Sequence, residues 1–145
     1  MNIKRAIGFA FLLYISSFIV FTATAIILGI DLESLEGMST MGYVIGWVLY
    51  IPIVLLLAKW YFKKDPPTLK KGFWLGVIAI TTSLLFDGVS VLGTYFAGES
   101  LDIFVRMYSS WEFYVSVVWV ILLCTFAGFE FDKTFTKQEN GGDSQ

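Results

Sequence analysis

Histidine is absent from this chain. That removes the usual near-neutral proton shuttle and the commonest metal and haem ligand. Cysteine occurs once, as Cys124 inside an apolar run, so no intramolecular disulfide can form and chemistry that needs a Cys pair is excluded. With no base or cation near it in sequence, Cys124 reads as a small buried hydrophobe rather than a reactive thiol. Charge is also scarce. Asp, Glu, Lys and Arg make up 15% of the residues, against roughly a quarter in an ordinary soluble domain. A disordered chain needs the opposite balance, low hydrophobicity and high net charge. No nucleic-acid motif is present, and nothing in the sequence calls for a cofactor or a metal. These absences argue against an enzyme.

What the chain has in quantity is hydrocarbon. Of 145 residues, 57% are hydrophobic, and the mean hydropathy is +0.73. A helix crossing the apolar core of a bilayer needs about 20 apolar residues, and four runs qualify: residues 6–30, 38–58, 72–97 and 109–129. They are continuous rather than alternating, which disfavours a β-barrel. The expected fold is an all-α integral membrane four-helix bundle, up-down-up-down, in one domain over residues 1–137. Residues 138–145 form a polar, disordered cytoplasmic tail. The connections Asp31–Gly37, Lys59–Lys71 and Gly98–Tyr108 are too short to form another domain.

Basic residues orient such a bundle. Lys4, Arg5, Lys59, Lys63, Lys64, Lys70, Lys71, Lys133 and Lys137 all fall on one side of four spans, nine of the ten basic residues, and Arg106 alone falls on the other. Both termini are therefore expected in the cytoplasm and the protein in the cell's inner membrane. The loop lysines Lys59, Lys63, Lys64, Lys70 and Lys71 would face anionic lipids of the inner leaflet, with a docking site for an acidic partner or headgroup as the sharper reading. Asp65-Pro66-Pro67 makes that loop a stiff, extended turn. Aromatic belts fit the same orientation, Trp60, Tyr61, Phe73 and Trp74 inside, and Tyr43, Tyr95, Tyr108, Trp111 and Tyr114 outside. Lys4-Arg5, the first apolar run and Ala23-Thr24-Ala25 also fit a signal peptide with its cleavage site, but the run exceeds the usual 7–15 residues, and the first span is read as retained.

A few polar residues sit at membrane depth. Asp87 lies ten residues before the end of the third run, ~15 Å below the outer boundary and close to the midplane. No Lys or Arg lies in any span to pair with it. Ser83, Ser90 and Thr94 share its helix face. Equal depth on the other spans nominates Thr24, Tyr50, Ser116 and Trp119 as partners. Asp87 is then either a hydrogen-bonding brace of the bundle or an ion or proton site. Glu112 starts the fourth run, ~10 Å shallower by helix rise, and is expected to snorkel or to cap its own helix. Pro52 interrupts the second span's backbone ladder and is read as a packing bend. Gly42–Gly46 and Gly72–Gly76 carry small-xxx-small spacing at opposite depths, so each must meet a different neighbour. That neighbour is either another span of the chain or a second protein, in a homo-oligomer or a complex.

The stretches Leu84-Leu85-Phe86-Asp87-Gly88-Val89 and Tyr108-Ser109-Ser110-Trp111-Glu112-Phe113-Tyr114 resemble small uncharacterised four-span prokaryotic membrane proteins. The resemblance covers spans three and four and implies no activity. Small multidrug transporters are similar in length and span count, but they depend on a Glu within the first span, and this chain has no acid there. The reading that results is a small accessory or interaction protein of the membrane. The alternative is an oligomeric transporter that conducts ions or small solutes through Asp87.

Overall fold

The computed structural model describes residues 1–29 and 39–139, with side chains as far as Asp132. The connection Asp31–Gly37, the side chains of Lys133 and Lys137, and residues 140–145 of the expected tail lie outside the described residues. Regular structure among the described residues is entirely helical: α1 (Ile3–Leu28), α2 (Thr40–Phe62), α3 (Leu69–Phe96), α4 (Asp102–Ser109) and α5 (Trp111–Glu139). Helices α1, α2, α3 and residues Trp111–Asp132 of α5 are long and apolar enough to cross a membrane. Two boundaries differ from expectation. The stretch 98–108, expected as a loop, contains α4. The last long helix runs past 129 to Glu139.

Local chemistry sets the helix ends. Asn2, Ser39 and Thr68 each accept a bond from the backbone N–H three residues on, the usual way to satisfy an orphan donor at a helix start. Helix α1 stops at Gly29, which adopts φ 63°, so that its N–H reaches back to the carbonyls of Ala25 and Ile26. Helix α2 continues unbroken through Pro52. The Ala23-Thr24-Ala25 stretch lies inside α1, with Thr24 and Ala25 buried.

The helices pack as a four-membered ring. α1 lies against α2 and α3, α5 lies against the same two, and α2 and α3, consecutive in the chain, sit across the diagonal. Core side chains come from all four long helices, among them Phe9, Val54, Leu75 and Cys124. The tightest seam joins α3 to α5. A Cβ placed on Gly72 would overlap the Cys124 carbonyl oxygen; one on Gly76 would lie 2.9 Å from Ile121 Cα, and one on Gly128 would lie 2.6 Å from the Thr68 oxygen. Only glycine permits backbones that close. The Gly72–Gly76 face is thus used within the chain, and Gly128 completes it. A Cβ placed on Gly46 would lie 4.0 Å from Val20 Cγ1 of α1, so the two glycine pairs do serve different neighbours.

Candidate functional site: the Asp87 cluster

Asp87 is half-buried on α3, and both of its carboxyl oxygens are engaged. Tyr14 of α1 donates its hydroxyl to Oδ1 at 3.0 Å, and Tyr108 of α4 donates to Oδ2 at 3.0 Å. Rings build the surroundings. Tyr14 stacks on Phe86 with centroids 5.1 Å apart, Phe11 tilts against Phe86 at 5.9 Å, and Tyr108 meets Phe113 edge-on at 4.8 Å. Tyr114 of α5 donates its hydroxyl to the Tyr108 carbonyl at 3.1 Å, which fixes the end of α4. Three elements therefore converge on one carboxyl: α1 and α4 supply the donors, α3 the acceptor. A groove lined by Val91, Leu101, Phe104, Val105, Tyr108 and Ser109 runs between α3 and α4 beside it.

The partners are not those that equal depth nominates. Tyr50 donates to the Leu13 carbonyl at 3.0 Å, and Thr24 bonds back to the Val20 carbonyl at 2.8 Å. Ser116 and Trp119 belong to the α2–α5 seam. Trp47 Nε1 donates to Ser116 Oγ at 2.8 Å, Ser116 Oγ donates to the Glu112 carbonyl at 2.8 Å, and Trp119 Nε1 donates to the Trp47 carbonyl at 3.3 Å. Of the expected polar stripe, Ser90 donates to the Phe86 carbonyl at 3.0 Å and lies beside the Tyr14 hydroxyl. No hydrogen bond joins Ser83 or Thr94 to Asp87 among the described residues. Rise arithmetic misses Tyr14 and Tyr108 because a tyrosine hydroxyl acts far from its own Cα and because Tyr108 lies on α4, outside the four spans. The signal that finds Tyr14 is simpler: it is the sole tyrosine of the first span.

Glu112 also departs from expectation. It stands in the first turn of α5, as expected, but its side chain turns to another helix. It is buried, and the Thr40 hydroxyl of α2 donates to its Oε1 at 2.9 Å, while Ser110 Oγ accepts the Phe113 N–H at the start of α5. Counted outward from the glycine seam, Asp87 stands eleven residues beyond Gly76 and Glu112 nine beyond Ile121. The two acids are thus ~3 Å apart in height, rather than ~10 Å, and they face different seams.

A second polar cluster closes the opposite end of the bundle, on a residue that the sequence places only in a stiff turn. Asp65, in the α2–α3 connection, is 7% exposed. Its Oδ2 accepts from the Asn2 backbone N–H at 2.8 Å and from the Tyr61 hydroxyl at 2.9 Å, and its Oδ1 pairs with Lys71 Nζ at 2.5 Å. Lys71 Nζ also reaches the Pro66 carbonyl at 2.8 Å. Burial alone would push this carboxyl up, but Lys71, Asn2 and Tyr61 outweigh it and hold it at about 2, below the ordinary 3.8. Two expectations change as a result. Lys71 turns to Asp65 instead of to lipid, and Tyr61 is fully buried instead of standing in an aromatic belt. Lys59, Lys63, Lys64 and Lys70 are exposed.

Comparison of the chain with protein-family models, curated proteins and solved structures finds no match. Among the described residues no group of His, Cys, Asp or Glu could hold a metal ion. What the geometry offers is hydrogen-bonded bracing towards one end and, at the other, an ion-paired clasp beside a close glycine seam.

Proposed function

We propose that this chain is a multi-pass inner-membrane protein of the accessory or interaction class, both termini cytoplasmic, and not an enzyme. The charge distribution supports the orientation, since nine of ten basic residues lie at one end. One observation carries the functional reading. Both oxygens of Asp87 are taken by tyrosine hydroxyls from two other elements, and Ser90, which lies beside Tyr14, turns back to the Phe86 carbonyl of its own helix. A group so engaged braces α1, α3 and α4. Conduction would need a hydrated carboxyl with continuing polar partners on both sides.

Substitution of Asp87 separates brace from conduit. Asp87→Asn keeps an acceptor for one tyrosine and adds donors, so stability in detergent should be nearly unchanged. Asp87→Leu should lower it by roughly 1–2 kcal/mol, the scale of interhelical hydrogen bonds in membranes. Proteoliposomes of the wild-type chain should show no proton or cation flux above empty vesicles. Flux that Asp87→Asn abolishes while leaving the fold intact would overturn the reading and establish a transporter.

A further inference from the structure

The basic end carries a charged site that the clasp around Asp65 does not use. Arg5 of α1 crosses to α2. Its guanidinium carbon stands 4.4 Å from the Trp60 ring centroid, and Nη2 donates to the Trp60 carbonyl. The arginine is thus held flat against an indole at the last turn of α2, where carbonyls attract cations. Its Nε is buried with no acceptor, so a ligand from outside meets the guanidinium only at its Nη atoms. Trp60 is itself 41% exposed, and the flanking lysines are free of the Asp65 clasp. Lys63 follows Trp60 by three residues in helical backbone conformation, which places it on the same face, and Lys4 and Lys59 adjoin Arg5 and Trp60 in sequence; all three are exposed. No acid is hydrogen-bonded or ion-paired to Arg5 or Lys63 among the described residues. Below this cationic rim α1 and α2 stay apolar, with Ile7 and Leu56 exposed.

We infer that Arg5, Trp60 and Lys63 form a headgroup site for one anionic phospholipid of the leaflet at the basic end. A phosphodiester offers acceptors to the part of the Arg5 guanidinium that Trp60 does not occupy and to the Lys63 ammonium, an indole at the headgroup level orients it, and the apolar faces below take the acyl chains. The inference deepens the proposed function and rests on its membrane placement, but not on which leaflet is cytoplasmic.

The test uses the full chain, delipidated in detergent, with lipid binding read by native mass spectrometry. Phosphatidylglycerol should be retained as a single adduct at concentrations where phosphatidylcholine is not. Arg5→Gln should weaken phosphatidylglycerol binding about tenfold, the share of one charge-assisted hydrogen bond, and Lys63→Gln, at an exposed position that does not threaten the fold, should weaken it by a smaller factor. Lys70→Gln, an exposed lysine in the first turn of α3, should change it little. Glycerol phosphate without acyl chains should not compete. Equal retention of phosphatidylcholine, or equal effects of Lys70→Gln and Lys63→Gln, would reduce the site to diffuse charge and overturn it. Full competition by glycerol phosphate would show a free-phosphate site and overturn the lipid assignment. Since detergent has no sidedness, a failed topology experiment would leave this result standing, and the reverse holds too.

Discussion

Two aspartates do opposite work with the same chemistry. Asp87 gathers neutral donors within the apolar part of the bundle; Asp65 gathers a cation and two donors at its rim. Asp65 closes the loop that joins α2 to α3, so its removal strands Lys71 and Tyr61. Asp65→Ala should cost about 2 kcal/mol, as expected when buried partners of a charged group lose it, and the loss should appear as a lower unfolding midpoint in detergent. The pH dependence has a definite sign. A carboxyl held at about 2 when folded and at 3.8 when free stabilises the fold fully above the higher value. That contribution fades as pH falls from about 4 towards about 2. The gap in midpoint between wild type and Asp65→Asn should therefore be widest near neutral pH and close on acidification. A gap that stays constant through that window would show that Asp65 is not charged in the clasp.

Between elements, the closeness of backbones decides what can be changed. Glycines of α3 divide into two groups along its length. Gly72 and Gly76 are pressed against α5, whereas Gly88 and Gly93 have nothing within 4 Å of an added Cβ. Gly72→Ala should destabilise the protein by about 1–3 kcal/mol, because the new methyl meets backbone that cannot rotate away. Gly88→Ala should leave stability unchanged or raise it by up to about 0.5–1 kcal/mol through helix propensity. Thermal unfolding of the two variants in one detergent makes the comparison, and equal effects would contradict the α3–α5 seam. Helix α4 is the other informative element. It is eight residues long with no buried residue, and its attachment depends on Tyr108. Tyr108→Phe should speed proteolysis between Gly98 and Ser110 while leaving the four long helices folded, as expected for the least packed unit of a structure.

Taken whole, the molecule is a ring of four long helices with an ion-paired clasp at its basic end and the Asp87–tyrosine brace nearer the other. Reporter fusions or cysteine labels in the Lys59–Lys71 connection should read as cytoplasmic, and those near Glu99 as external. The reverse pattern would invert the proposed orientation without altering the packing. The ring order has a mechanical consequence. Because α2 and α3 lie on the diagonal, the Asp65 connection spans the bundle and meets the start of α1 there, so the clasp ties three helices with one carboxylate.

Composition and run length by themselves determine that four helices are apolar enough to span a bilayer, because hydrocarbon length is a one-dimensional property of sequence. The charge count likewise needs no structure to separate a basic end from an acidic one. The anomaly of Asp87 is also legible from sequence, since a lone acid in a long apolar run stands out. Which groups meet it is not. Tyr14 and Tyr108 come from segments 73 and 21 residues away, and a tyrosine hydroxyl acts far from its own backbone. The same holds for Glu112, whose partner on α2 depends on which helices are neighbours, and for Asp65, which reads as a loop acid until Asn2, Tyr61 and Lys71 fold around it. Side-chain reach and the order of helices around the ring are decided only in three dimensions, where packing selects among pairings that the sequence leaves equal.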